Sequence, residues 1–267
     1  MNRSYLFAPG HNTKLLARVF SVGADAVMLD LEDAVPTNSK DTARRMVADA
    51  LEDHPAWVRV NAVGTPWCEA DVDAVAGRAH GIRIPKVESP EDVRWVAKRA
   101  PGKPLICAIE TARGVLAAPQ IALVPGVSHL AMGGVDLARD LNAMSGNLQT
   151  LHVRSHLVLV SRAAGIGPPI DSVYAQLDDQ DGLREQAEFA RSLGFFGKSA
   201  IHPQQLSVLH EVFTPTDTEI AWARDVIAAH DAVGGAALRL PSGEFVDLPV
   251  AKRAQHLLDL ASACSWK

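Results

Sequence analysis

The chain has 267 residues, with 26 Lys and Arg against 31 Asp and Glu and 48% hydrophobic residues. That length and apolar content bury a sizeable core without help from disulfides, and a net charge of −5 lacks the broad basic field that drives binding to nucleic acid. No apolar run approaches the ~18 residues of a membrane span, and Cys68, Cys107 and Cys264, odd in number and irregularly spaced, fit neither a disulfide framework nor a zinc motif.

Met1 to Gly10 enters an apolar, strand-like run at once, without a charged leader or a small-residue cleavage site. A cytoplasmic protein with reduced thiols, with no nucleic acid and no membrane as partner, is the expectation. In chain order the predicted strands are Ser4–Pro9, Ala26–Glu32, Trp57–Ala62, Gly81–Val87, Pro104–Glu110, His129–Gly134, Pro168–Val173 and Phe196–Ile201. Helical signals fall between them: Thr37-Asn38-Ser39 before a charged stretch, Ser89-Pro90-Glu91 as a cap with proline in the first turn, and Asp181-Gly182 before Leu183–Leu193. Eight strand–helix alternations predict a parallel sheet closed into an α/β (β/α)8 TIM barrel, an architecture of about 250 residues. An open doubly wound sheet would show a glycine-rich phosphate turn after its first strand, and Ala8-Pro9-Gly10-His11-Asn12 is not one. The chain divides into a catalytic barrel, 1–214, and a C-terminal extension, 215–267. That extension reads as a helix from Thr216 to Ala232, a hairpin of Ala237–Leu240 and Glu244–Leu248 around Pro241-Ser242-Gly243, and a last helix Val250–Ala261. It is surplus to a barrel, which suits a lid or a contact with a neighbouring subunit.

In such a barrel the chemistry belongs where strands end. The polar residues there are Asp30, Glu32, Asp33, Arg59, Asn61, Lys86, Glu88, Glu110, Asp136, Lys198 and His202. Glu110 and Asp136 each follow an apolar run. Acids at the ends of successive strands converge, and a hard cation such as Mg²⁺ needs only one or two carboxylates, keeping its other positions for water and substrate oxygens. A helix cap explains either acid taken alone equally well. Asp33 reads as a partner to metal-bound water or as a capping aspartate. Alternation puts Arg59 and Asn61 on one face. Burying that arginine requires a facing carboxylate, such as Glu32, or a ligand oxygen. Lys86 raises Schiff-base chemistry, but neighbouring carboxylates raise a lysine pKa and favour a charge-balancing role. Gly133-Gly134 lets main-chain N–H groups approach a small carboxylate. His152 and His156 share a helical face without an acidic third ligand, so zinc is not expected.

Several stretches occur together in an order that identifies a family. Ser4-Tyr5-Leu6-Phe7-Ala8-Pro9-Gly10, Asp25 to Val35, Ile84-Pro85-Lys86-Val87-Glu88-Ser89, Ile109-Glu110-Thr111-Ala112-Arg113-Gly114, Gly197 to Pro203 and Gly243 to Pro249 resemble the citrate lyase beta-subunit-like proteins. These group with malyl-CoA and citramalyl-CoA lyases in the aldolase/citrate lyase superfamily. The resemblance implies a Mg²⁺-dependent (or Mn²⁺-dependent) carbon–carbon lyase, an oxo-acid-lyase that cleaves or forms a 3-hydroxy-3-carboxyacyl-CoA thioester to give a 2-oxo acid and an acyl-CoA. It implies Glu110 and Asp136 as metal ligands and Arg59 beside the thioester or enolate oxygen, with Glu32 and Asp33 as acids of the catalytic centre. Pro9, Gly10, Lys14, Ala200, Ile201, His202 and Pro203 would line the CoA path. It also implies that Asp247 acts from a neighbouring subunit, hence a homo-oligomer, a trimer or hexamer. Two alternatives stand beside this: a metal-dependent aldolase on free hydroxy-oxo acids, and a citrate lyase beta-type subunit whose acyl group sits on a carrier protein. Val135 precedes Asp136 where the family usually has an acid, and Phe196 stands where it often has aspartate.

Overall fold

The computed structural model describes residues 1–144 and 146–265. Asn2–His210 forms one compact unit, and Glu211 onward, with Met1, forms a second. In the first, seven parallel strands are assigned: β1 (Ser4–Pro9), β2 (Ala26–Asp30), β3 (Trp57–Arg59), β4 (Gly81–Ile84), β5 (Leu105–Ile109), β6 (Val127–Met132) and β7 (Lys198–Ala200). They lie side by side in the order β6-β5-β4-β3-β2-β1-β7. β4 and β7 are therefore four positions apart, about 19 Å at the usual strand spacing. Yet Arg83 Nη1 on β4 donates to Ser199 Oγ on β7 at 3.2 Å, so the sheet curls until its inner face meets itself.

That inner face follows from alternation. Tyr5, Ala26, Met28, Trp57, Ile106, Ala131 and Ile170 form a buried apolar cluster with Phe7 packed on it. Two residues further along the strands the same face carries Asp30, Arg59 and Arg83, because successive side chains point to opposite sides. Register aligns them: Asp30 pairs with Arg59, and Arg59 with Arg83. The floor of the curl is greasy and its carboxyl end is charged.

The expected seventh strand, Pro168–Val173, is a correction. Ile170 and Asp171 form isolated bridges to Ala131 and Lys198: Ile170 N–H donates to Leu130 O, Met132 N–H to Ile170 O, Asp171 N–H to Gly197 O and Ser199 N–H to Asp171 O, at 2.9–3.0 Å, and Phe196 N–H adds a bond to Pro169 O at 3.2 Å. Pro168 and Pro169 have no N–H to contribute. Other strands end early. β2 stops at Asp30 because its carboxylate accepts the N–H groups of Glu32 (2.9 Å) and Ala34 (3.2 Å), folding the chain into a turn. β6 runs Val127–Met132, and Gly133 caps the helix Gly134–Asp140. Caps explain the helices: Ser89 and Asp92 form a capping box before Pro90–Arg99, and Asp179, rather than Asp181, caps Gln180–Leu193.

In the second unit Thr216 and Glu219 form a capping box on the helix Asp217–Ala232. β8 (Leu238–Arg239) and β9 (Phe245–Val246) pair antiparallel, and the helix Leu248–Ser265 follows. Ala223, Val226, Val246 and Ala254 are its buried core. No helix among the described residues is long and apolar enough to cross a membrane.

Candidate active site

A cavity of about 260 Å³ opens at the carboxyl end of the curled sheet, lined by residues that include Phe7, Asp30, Asp33, Arg59, Arg83, Glu110, Gly134, Asp136 and Ile201. Arg59 is its most constrained donor. Nε and Nη2 donate to the two oxygens of Asp30 at 2.7 Å each, and Nη1 lies 2.9 Å from Glu32 Oε2. Asp30 is 1% exposed, so both partners are held in a planar, bidentate pair. Burial pulls the arginine pKa down, but Asp30 and Glu32 outweigh it and hold the pKa above the ordinary value. The ring of Phe7 lies 5.0 Å below the guanidinium. A guanidinium has five N–H donors, and two of them are hydrogen-bonded to Asp30 here, while the contact with Glu32 is an ion pair. Those left over are fixed in direction before any ligand arrives.

Beside it, Lys86 Nζ donates to Glu32 Oε1 and lies 3.2 Å from Asp33 Oδ1. Its hydrogen bond to Glu32 and the two acids overcome burial and raise the lysine pKa. An ammonium kept charged in this way is a poor nucleophile, which favours charge balance over a Schiff base. Burial pushes Glu32 up to about 7 against the pull of Arg59 and Lys86. In adjoining Asp33 burial is outweighed by Lys86 and Arg59, and its pKa falls below the ordinary value. Asp33, 55% exposed at its side chain, lines the cavity, whereas Glu32 stands behind Arg59 and Lys86.

Glu110 follows β5 and is 3% exposed. Its Oε2 accepts the N–H of Lys86 at 3.2 Å, from a residue held at φ 50°. Gly133 leaves it room: a Cβ there would stand 2.3 Å from Glu110 Cγ and 2.6 Å from Oε1. Burial raises the Glu110 pKa, Arg83 and Arg59 pull it down, and Asp136 pushes it up again. Asp136, in the first turn of the helix Gly134–Asp140, is 23% exposed at its side chain and pairs with Arg139 at 2.8 Å. Among the described residues no three His, Cys, Asp or Glu side chains converge as a metal-binding group. Two carboxylates lining one cavity do fit a hard cation, which completes its shell with water and ligand oxygens.

Other expected residues fall elsewhere. The Asn61 side chain turns away from Arg59 to Leu31 O and Asp71 Oδ2 and accepts from Lys40 Nζ. Lys198 is fully buried against Asp171 (2.5 Å) and Gln186 (2.6 Å), with Arg154 3.0 Å from the other Asp171 oxygen. This triad ties β7 to the bridging segment and is structural, correcting its place among the mouth residues. The Gly134 N–H, expected to meet a carboxylate, donates to Ser172 Oγ at 2.9 Å. Gly10 packs where a Cβ would lie 2.8 Å from Asp30 O, beside Pro9. Lys14 is exposed on the helix Thr13–Val19. Ala200 is buried on β7. Ile201 lines the cavity, and His202 and Pro203 are exposed beyond it. Asp247 accepts Val250 N–H at 3.2 Å, capping its own helix. Arg83, overlooked in the sequence, also lines the cavity. Its signal was there: it stands two residues from Gly81 on a predicted strand, in step with Arg59.

The profile of the HpcH/HpaI aldolase/citrate lyase family matches residues 3–203. Among curated proteins, the (3S)-malyl-CoA thioesterase of Cereibacter sphaeroides is 40% identical, covering 86% of this chain and 83% of its own. The mitochondrial citramalyl-CoA lyase of Rattus norvegicus is 33% identical, covering 99% and 87%. Among solved structures, the protein CitE of Mycobacterium tuberculosis in complex with magnesium, acetoacetate and coenzyme A superposes with a TM-score of 0.85 at 32% identity, over 97% of both chains.

Proposed function

The chain belongs to the HpcH/HpaI aldolase/citrate lyase family, and from that premise we propose that it is a carbon–carbon lyase acting on a 3-hydroxy-3-carboxyacyl-CoA such as citramalyl-CoA or malyl-CoA. The observation that carries the reading is Arg59, locked by Asp30 and Glu32 on the cavity wall that also holds Glu110 and Asp136. The solved relative with magnesium, acetoacetate and coenzyme A supports the ligand classes. The bridges of Ile170 and Asp171 are read as the remaining strand position between β6 and β7, closing a (β/α)8 barrel with this cavity at its carboxyl end.

Glu110 and Asp136 would hold Mg²⁺, which supplies Lewis-acid polarisation of the substrate's hydroxyl and carboxylate oxygens. In the cleavage direction the bond between the hydroxyl-bearing carbon and the carbon next to the thioester breaks. The hydroxyl proton passes to Asp33, the C–O bond becomes the carbonyl of a 2-oxo acid, and the bonding electron pair moves into the thioester as an enolate. The unengaged N–H donors of Arg59 stabilise that oxyanion without reorganising. Lys86 and Glu32 fix the loop that carries Asp33. A proton from Asp247 of a second copy then completes the acyl-CoA, and Pro9, Gly10, Lys14 and the turn Ala200 to Pro203 are placed along the CoA path.

A second reading, hydrolysis of the thioester, is favoured by the 40% identical malyl-CoA thioesterase. One experiment tests both: purified protein with Mg²⁺ against a panel of hydroxyacyl-CoA thioesters, following 2-oxo acid and free thiol separately. The lyase releases 2-oxo acid without thiol, and EDTA, Glu110→Ala or Asp136→Ala abolishes the release. Thiol without 2-oxo acid establishes the hydrolase instead. Cleavage that survives EDTA and both substitutions refutes the metal assignment.

A further inference from the structure

Arg83 is a buried cation that makes no close ion pair among the described residues. It is 4% exposed, and its single described hydrogen bond runs from Nη1 to Ser199 Oγ at 3.2 Å. Its Nε is buried with no partner. Among the described residues no carboxylate pairs with it, although the same cavity is rich in acids. The neighbouring acids are already engaged: Asp30 is taken at both oxygens by Arg59, Glu32 by Arg59 and Lys86, and Asp33 by Lys86. Glu110 accepts a main-chain N–H. Burial, only partly offset by Glu110, brings the Arg83 pKa down to about 10, which leaves it charged at neutral pH.

A guanidinium this buried and without a paired carboxylate is costly to keep and is retained only when something offsets the cost. Packing does not explain it. The ring of Phe7, 5.3 Å away, already serves Arg59 at 5.0 Å, and an apolar side chain in register with Ile106 would extend the greasy floor. Meanwhile the main-chain donor that the sequence offered to a small carboxylate, Gly134 N–H, is occupied by Ser172. The cavity therefore holds two guanidiniums: Arg59, neutralised and directional, and Arg83, its register partner on the next strand, charged and outside any ion pair.

We infer that Arg83 is a specificity residue that receives the carboxylate of the substrate's oxo-acid portion, so that the site selects ligands bearing a carboxylate on the carbon next to the carbonyl or hydroxyl. The inference deepens the lyase reading and rests on it for the identity of the ligand. A planar fork with free N–H groups matches a carboxylate better than an ammonium does.

The test is calorimetric binding of pyruvate and of its neutral amide, pyruvamide, to the full chain with Mg²⁺, and of CoA in parallel. The wild type prefers pyruvate. Arg83→Met, near in shape and uncharged, loses roughly 10- to 100-fold in pyruvate affinity, the equivalent of the ~1.5–3 kcal/mol of a hydrogen bond to a charged group. Its affinities for pyruvamide and CoA stay the same, and Arg83→Lys regains part of the preference. A methionine variant that keeps the preference overturns the inference, as does one that loses pyruvate, pyruvamide and CoA alike. Should Arg83→Met not fold, Arg83→Lys decides: undiminished pyruvate affinity refutes the need for the fork. A preference that behaves as expected in a protein that cleaves no thioester overturns the lyase reading alone. A wild type indifferent to the carboxylate overturns the role of Arg83.

Discussion

Arg59→Lys separates the charge of the key donor from its geometry. The substitution keeps one positive charge on a stem of four carbons, but a single ammonium cannot span both oxygens of Asp30 and also reach Glu32. The wild-type arginine makes two 2.7 Å bonds to an aspartate that is 1% exposed, each worth about 1.5–3 kcal/mol as a bond to a charged group. The gross loss is then roughly 3–6 kcal/mol. Part is recovered, because the N–H groups of Glu32 and Ala34 still donate to Asp30 at 2.9 and 3.2 Å and the ammonium keeps one contact. A net destabilisation of about 2–4 kcal/mol follows, lowering Tm by roughly 4–16 °C for a chain of this size. Catalysis suffers more, since removing one preorganised oxyanion donor costs about 10²–10³ in kcat. Urea unfolding and steady-state release of 2-oxo acid, with kcat and KM resolved, measure the two effects. A lysine variant within about threefold of wild-type kcat would show that charge alone suffices, and the argument from directional donors would be wrong.

Two further outcomes follow from the same structure. In Asp171 burial pushes the pKa up, but Lys198 and Arg154 outweigh it and the folded value lies below the unfolded one; its contribution is therefore present above about pH 4 and lost as pH falls through the folded value. Asp171→Asn should cost about 3–5 kcal/mol at pH 7 in chemical denaturation, with the gap to wild type narrowing below about pH 4, and a gap that stays constant down to pH 2.5 would contradict the sign. If Asp247 acts across an interface, mixing inactive Asp247→Ala and Arg59→Ala proteins restores part of the activity in mixed oligomers. No recovery under proven subunit exchange removes Asp247 from the catalytic centre.

What the sequence discloses and what it hides divide along the range of the interactions. Strand periodicity and caps are local, so β1 to β6 and the helix Pro90–Arg99 were legible within a few residues of their ends. The segment Pro168–Val173 misled because its apolar content reads as a strand while two prolines withhold ladder donors, leaving Ile170 and Asp171 as isolated bridges to the two neighbours. Charge at a strand end was the signal for the site, and it gathered Asp33, Arg59, Glu110 and Asp136 onto one cavity wall. The same signal could not tell Lys198 from Arg83. Both are cations inside apolar strands, and which of them meets an acid depends on the partner 27 residues away in Asp171 or on its absence. An ion pair between strands is invisible to periodicity. So is an unpaired charge, and that is why Arg83 was passed over: it stands in register with Arg59 on one side and with the apolar Ile106 of the floor on the other, and periodicity alone does not say which neighbour sets its role.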